Sequence, residues 1–423
     1  MGSKKYTKIA IAVLHFLFIQ NIFATESDSS FKVRSKKNRL QIIACPEPLH
    51  QVLKTDPTEF ITITLGYGLP YPGSYIKSGK HFTSRQKEIQ KILTGGRQAI
   101  LIQPLPELLD QATFNELVSE LKVNIFLKNA FSSQDLSDHH SGIVPVQNIS
   151  HVKIRKTPTG LGHDLHYELI TDYFECGNLQ EYLANIEETK ISFESAIQIL
   201  KDSVSGLTYL HENDIAHRDI KLENILVSQQ STRLPEAGII DFGSAISSAV
   251  TESHGLSCSQ HGTLSYRPPE EIIFLIETEK TDIDDHLNSF KPAKNLNTMS
   301  MTALLQSAKR KDVWSMGVTF LRFFSKILGT DFKEIREIFP ASSFDTSFAK
   351  EDCCLEKIIH LKNFINDLQV TDQTLLASAE DIDQMNQHLE TLKIVLKRML
   401  NIDVTRRISA QRAKSMIFTI NNR

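Results

Sequence analysis

The segment IAHRDIKLENILV, residues 215–227, constrains this chain more than any other. Its ends are apolar, and its middle carries His217, Arg218, Asp219, Lys221, Glu223 and Asn224. Charges set between two buried runs must be paired or hydrogen-bonded, since an isolated buried charge is strongly unfavourable. A second segment, AGIIDFGSA at 237–245, brings a short apolar run up to Asp241 and then a glycine. Whatever fold the chain adopts has to hold both charged loops on buried supports.

The residue types suit one chemistry. A carboxylate at Asp219 can orient an incoming hydroxyl and accept its proton, while Lys221 offsets charge on a phosphoryl group in transfer. The amide oxygen of Asn224 and the carboxylate of Asp241 are hard donors of the kind that magnesium prefers.

Taken together, HRDIKLEN and IIDFGSA resemble the catalytic loop and metal-binding DFG element of the eukaryotic-type protein kinase family. The resemblance implies an α+β bilobal fold, with a small antiparallel-sheet lobe carrying one main helix and a larger, mainly helical lobe. It implies ATP and Mg²⁺ (or Mn²⁺) as cofactors, Asp219 as catalytic base, Lys221 as the phosphate contact, and Asn224 and Asp241 as metal ligands. LITDYFECGNLQEYL at 169–183 resembles the hinge of that family, with Thr171 as gatekeeper and the backbone of Asp172 and Phe174 receiving adenine. GTLSYRPPE at 262–270 resembles the end of an activation segment, whose Glu270 would pair with Arg407. Asp312 in KDVWSMG would bond to the backbone of the catalytic loop. Lys221 together with Thr263 resembles the serine/threonine branch, so the implied partner is a protein with a serine or threonine hydroxyl. Arg218 could meet a phosphate on Ser247, Ser248, Thr251, Ser253, Ser257 or Ser259.

The pattern along the chain agrees with two lobes. LQIIA, EFITITLGYG, GSYIK and RQAILIQPL read as strands. Residues 112–131 read as a helix with Phe114, Leu117, Leu121 and Ile125 on one face. HVKIRKT and LHYELITDYF read as further strands, and helices dominate beyond Gly177. The strongest are FESAIQILKDSVSGLTYLHEN and residues 311–328. The expected organisation is a signal peptide at 1–24, an extension at 25–59, a small lobe at 60–174, a large lobe at 175–415 and a tail at 416–423. Insertions are expected near 275–306 and 336–352.

Two positions in the small lobe depart from the family pattern. LGYGLPYPGSY offers Gly66, Gly68 and Gly73 as a phosphate cradle, with four residues between the last two where the family usually has two. In GGRQAILIQPL, the Ala-x-Lys pattern becomes Ala99-Ile100-Leu101, with Ala99 expected to line the nucleotide and leucine standing where lysine would meet the phosphates. Glu120, with Glu116 as alternative, is the expected helical glutamate. Three readings remain open: a shifted register, another cation such as Lys77 or Arg97, or a pseudokinase-like binding or scaffold protein with weak or no transfer.

Composition narrows the classes. With 41% hydrophobic and 23% charged residues, the chain has a globular balance, and a net charge of −3 gives no basis for nucleic-acid binding. Five cysteines, with Cys353 and Cys354 adjacent, form neither a disulfide framework nor a spaced metal set. The basic start, the apolar run IAIAVLHFLFI and the small Ala24 have the form of a secretory signal, which predicts export to a lumenal, extracellular or host compartment. The run is short for a bilayer span. Asn148-Ile-Ser is a glycosylation sequon relevant to such a route.

Overall fold

A computed structural model describes residues 30–34, 40–42, 62–66, 76–84, 87–94, 97–105, 109, 111–132, 142–156, 163–185, 191–229, 234–247, 262–271, 301–329, 360–369 and 379–420. The chain forms two compact units. One comprises Met1–Leu136 with Pro145–Tyr173, the other Ser137–Val144 with Phe174–Arg423. The expected signal peptide, most of the 275–306 insertion and all of the 336–352 insertion lie outside the described residues. No described helix is long and apolar enough to cross a membrane.

The first unit is built on an antiparallel sheet. Its strands are β1 (Ser30–Arg34), β2 (Leu40–Ile42), β3 (Thr62–Gly66), β4 (Ile76–Ser84), β5 (Lys87–Thr94), β6 (Arg97–Pro104), β7 (Val146–Lys156) and β8 (His163–Asp172). Their order in space is β2-β1-β3-β7-β8-β6-β5-β4. Strand β5, KEIQKILT, was not expected from the sequence. Ile89 and Ile92 stand three apart, so its apolar residues break the alternation by which a half-buried strand is read. Its ladder to β6 is unbroken from Lys87 opposite Pro104 to Thr94 opposite Arg97.

Helix α1 (Gln111–Ser132) belongs to the same unit. A single apolar face was expected, but burial continues around it, with Leu117, Val118, Leu121, Val123, Ile125 and Leu127 all buried. Glu120, Lys122 and Asn124 are buried as well. Asn124 Nδ2 donates to Glu120 O at 2.9 Å, and Lys128 Nζ donates to Gln147 O at 2.5 Å. Each of these two side chains thus meets a backbone carbonyl, the kind of partner a low dielectric demands.

The second unit is mainly helical. Its helices are α2 (Leu179–Ala184), α3 (Phe193–Glu212), α4 (Met301–Ile327), α5 at 360–367, α6 (Ala379–Met399) and α7 (Ala410–Ile417). Asn178 closes a capping box with Glu181 at the start of α2, and Ser192 accepts from Ser195 N at the start of α3. The expected stripe on α3, Ala196, Ile199, Leu200, Val204, Leu207 and Leu210, is buried throughout.

Helix α4 begins ten residues before the expected start at 311, which removes 301–306 from the expected insertion. Leu304, Leu305 and Ala308 pack with Ala216 and Ile246, an apolar contact whose partners lie far away in sequence. The middle of α4 is the deepest part of the unit. Phe320, Phe323 and Phe324 are fully buried, with Phe323 edge-on to Phe324 at 5.4 Å between ring centres.

Candidate active site

Two short antiparallel ladders hold the ends of the charged loop. On its amino-terminal side, β9 (Ile215–Ala216) pairs with β12 (Ile246–Ser247); on the other, β10 (Ile225–Ser228) pairs with β11 (Glu236–Ile239). All four apolar anchors Ile215, Ala216, Ile225 and Val227 are buried. The apolar ends of the motif therefore place the charges, and Ile240 N donates to Asn224 O at 3.0 Å to tie the Asp241 segment against the loop.

Asp312, on α4, fixes the loop from below. Its carboxylate is fully buried and accepts from His217 N at 2.7 Å and Arg218 N at 2.6 Å. His211 Nε2 lies 3.0 Å from the same carboxylate. Arg218 is held at φ 68°, a left-handed conformation that costs a non-glycine residue about 1–3 kcal/mol unless its surroundings enforce it. Gly262 lies close by at φ 93°, where a Cβ would stand 2.4 Å from Arg218 O. Both the angle and the approach require glycine there.

Asp219 is the centre of the site. Oδ1 accepts from Thr263 N at 2.9 Å and from Thr263 Oγ1 at 3.0 Å. Oδ2 faces Lys221 Nζ at 2.9 Å, and Lys221 also donates to Thr263 Oγ1 at 3.1 Å. Asn224 Nδ2 donates to Asp219 O at 2.8 Å, which leaves the amide oxygen as the end suited to a cation. Burial pushes the Asp219 carboxyl up, but the Lys221 ammonium, its hydrogen bond, His217 and Thr263 N outweigh that and hold it below its ordinary value. The group is an ionised base at neutral pH.

His217 serves the backbone rather than a reaction. Nδ1 accepts from Asp219 N at 3.3 Å, and Nε2 lies 2.9 Å from Ile240 O, a pair of bonds satisfied by the Nε2–H tautomer. Its ring sits 5.4 Å from Phe242. Asp241 follows Ile240 directly and adopts φ 66°, ψ 77° ahead of the turn Phe242–Ser244. Arg218 Nε donates to Ser244 O at 2.8 Å, joining the two charged segments a second time.

The donor set fits magnesium. Asn224 and Asp241 supply an amide and a carboxylate oxygen, and Mg²⁺ commonly takes one or two protein groups and completes its shell with water and phosphate. No described cluster of three or more His, Cys, Asp and Glu side chains could hold a metal by protein ligands alone.

Other expected pairings are present. Arg407 forks onto Glu270, Nη1 to Oε1 at 2.8 Å and Nη2 to Oε2 at 3.0 Å, with its guanidinium 5.0 Å from the Trp314 ring. Beside them, Lys311 Nζ meets Glu271 Oε2 at 2.6 Å. Ser247 is buried inside β12, so it is a poor position for the phosphate considered in the sequence; the other five candidates lie outside the described residues. Asn148 of the sequon is likewise buried, within β7 rather than on a surface loop.

The small-lobe expectations need correction. Gly66 ends β3, opposite Ser30 of β1 and Ser150 of β7, three places from β6 in the sheet. The hairpin beside β6 is instead β4–β5, whose connection reads SRQK and has no glycine. Gly68 and Gly73 lie outside the described residues. Ala99 stands opposite Asp172 and Leu101 opposite Ile170, whereas Thr171 stands opposite Ile100. Opposed residues in an antiparallel ladder share a face, so Ala99 and Thr171 project from opposite faces of the sheet. Asp172 N donates to Pro145 O at 3.2 Å, and Phe174, the first residue of the second unit's main segment, accepts from Gly177 N at 3.2 Å.

Residues 124–286 match the family described as protein kinase domain. Calmodulin-binding receptor-like cytoplasmic kinase 1 of Arabidopsis thaliana is 28% identical over 161 residues, which is 37% of this chain and 33% of that protein. LysM domain receptor-like kinase 10 of Oryza sativa subsp. japonica is 37% identical over 106 residues, 24% of this chain and 17% of that protein. Mitogen-activated protein kinase kinase 2 of Arabidopsis thaliana is 34% identical over 116 residues, 27% of this chain and 30% of that protein. The chain thus spans no more than a third of the length of these relatives. Its α+β fold, with a sheet-based unit and a mainly helical one, is that of a protein kinase domain. Over residues 124–286 the chain is similar to the protein kinase domain, and the relatives it matches are kinases.

Proposed function

We propose that the chain is an ATP- and Mg²⁺-dependent protein kinase that phosphorylates serine or threonine hydroxyls. The observation that carries this reading is the arrangement around Asp219, an ionised carboxylate beside a lysine and a threonine on a loop pinned by Asp312. A substrate hydroxyl directed at Asp219 gives up its proton to the carboxylate as its oxygen bonds to the γ-phosphorus. The bond from that phosphorus to the bridging oxygen breaks, and ADP leaves with the electron pair. Lys221 offsets the charge on the phosphoryl oxygens, and Thr263 keeps Asp219 aimed. Mg²⁺ held by Asn224 and Asp241 would neutralise and orient the polyphosphate. The Lys221–Thr263 contact favours a short hydroxyl side chain over a phenol.

Transfer of labelled γ-phosphate to a mixed protein acceptor, followed by phosphoamino-acid identification, tests this directly. Label on phosphoserine and phosphothreonine is expected, and label confined to phosphotyrosine refutes the specificity. A second reading, a nucleotide-binding scaffold with little transfer, rests on Leu101, which is fully buried where the family pattern has lysine. Nucleotide binding with no transfer above background in that assay would select it.

A further inference from the structure

Residues 391–420 carry seven lysines and arginines against one acidic residue, Asp403, in a chain whose net charge is −3. Three of the seven are matched within the fold: Arg407 by Glu270, Lys393 by Glu390 and Arg406 by Asp403. The other four are Lys397, Arg398, Arg412 and Lys414. Among the described residues, none of these four has a carboxylate within ion-pair reach. The excess positive charge of this segment is therefore local and unbalanced.

Folding gathers these cations on the surface of the helical unit. Lys397 and Arg398 follow Ile394 by three and four residues, so the three share a face of α6. Arg398 Nη1 lies 3.5 Å from Met416 Sδ, which joins that face to α7, and Arg412 stands one turn before Met416. Phe418, directly after α7, has Lys414 Nζ at 5.7 Å and Lys201 Nζ at 5.6 Å from its ring centre. Lys201 belongs to α3 and donates to Ile420 O at 2.9 Å, so a third helix adds its charge, offset in part by Glu194 and Asp202. Apolar side chains stand among the cations. Ile394 is 47% exposed and Phe418 40%, two of the five large apolar residues exposed among those described.

That combination selects among partners by charge and by shape. The centre of a protein–protein interface is apolar and depleted of lysine, whereas here each exposed apolar side chain has a cation beside it. Phosphate contacts to a nucleic acid would leave the exposed Ile394 without a role. An anionic bilayer meets both features, since its headgroups pair with the cations and its acyl boundary takes the apolar tips. We propose that this face, made by α7, the end of α6 and Lys201 of α3, attaches the chain peripherally to a membrane surface rich in anionic lipid. Lysine and arginine stems lie along the apolar boundary while their charged ends stay with the headgroups. Such attachment needs no spanning helix, and it does not depend on whether the chain transfers phosphate.

The test is flotation of the full chain with vesicles of phosphatidylcholine alone, or with about a third phosphatidylserine. Binding is expected to the anionic vesicles only, and it should weaken as added salt screens the headgroups. Each cation near such a surface raises partitioning about fivefold, so Arg398→Gln combined with Arg412→Gln should lower it about twenty-fivefold. Both side chains are exposed and lie outside the reaction loops. Phe418→Ser leaves the charge unchanged and should still lower partitioning several-fold, because the ring no longer enters the acyl boundary. Should that variant fail to fold, Ile394→Ser on α6 provides the same readout. Absence of binding to anionic vesicles, or equal binding to neutral ones, overturns the proposal. So does a folded double variant, or a folded apolar variant, that binds as the parent does. Binding to duplex DNA with both kinds of vesicle left unbound would overturn it in favour of a nucleic-acid surface.

Discussion

Asp312 offers a quantitative test of how the reaction loop is held. Replacing it by asparagine keeps the volume but exchanges one of two accepting oxygens for an NH₂ group. His217 N and Arg218 N now bond to different carboxylate oxygens, at 2.7 and 2.6 Å. In Asp312→Asn one of these buried N–H groups faces another donor. An unsatisfied buried donor costs about 1–3 kcal/mol, so a loss of about 2 kcal/mol is expected. Asp312→Ala strands both donors and should cost about 2–6 kcal/mol, a large share of a typical domain's stability. The effect should also reach catalysis. Arg218 stays at φ 68° only while its N–H is held, and relaxation there carries Asp219 with it. Urea unfolding should show a lower midpoint with an unchanged slope, and phosphate transfer should fall chiefly in kcat. An Asp312→Asn protein within 0.5 kcal/mol of the parent by urea unfolding, with unaltered kcat, would refute this reasoning, because surface substitutions already span about that range.

Arg407→Met should destabilise by about 3 kcal/mol in the same unfolding measurement, because Glu270 and the carbonyls of Asn401 and Arg310 lose their donors together. Lys311→Met should cost about 3 kcal/mol or more by leaving Glu271 buried without its ammonium, and a second change, Glu271→Met, should recover much of it. Burial pushes the Glu271 carboxyl up against the opposing pull of Lys311, and removing Lys311 raises it further. A raised carboxyl binds protons more readily folded than unfolded, so the single variant loses stability as pH rises from about 4.3 through its folded value; equal midpoints across that window would contradict this. Asp219 behaves oppositely. Its lowered carboxyl gives stability that is complete above about 3.9 and lost as pH falls through the folded value, and Thr263→Val should move that acid limb upward in a pH titration of unfolding.

The site was more legible in the sequence than the sheet that accompanies it. Asp219, Lys221 and Asn224 lie within six residues between two apolar anchors, so local order alone brings them together. Asp312 and Arg407 were readable because each sits in a short motif of its own, although their partners are 94 and 137 residues away. The extra turns of α4 were missed because Leu304, Leu305 and Ala308 pack against Ala216 and Ile246, a reason that exists only in the folded chain. Strand β5 was missed for its broken alternation, and with it Lys87. A lone lysine beside a glutamate in RQKEIQKIL carries no sign that it will meet Glu120 across 33 residues. Gly66 shows the opposite limit, since glycine spacing suggests a cradle wherever it occurs and only the strand order places β3 three positions from β6.

The central claim is that Asp219 and Asp241 act in phosphoryl transfer. Its most direct test is γ-phosphate transfer to protein by the purified chain with Mg²⁺ or Mn²⁺, compared with Asp219→Ala and Asp241→Ala variants of matched folding. The parent should transfer phosphate, and each variant should fall by about two orders of magnitude or more. Transfer by the parent no greater than by either variant, across both metals and several acceptors, would contradict the claim.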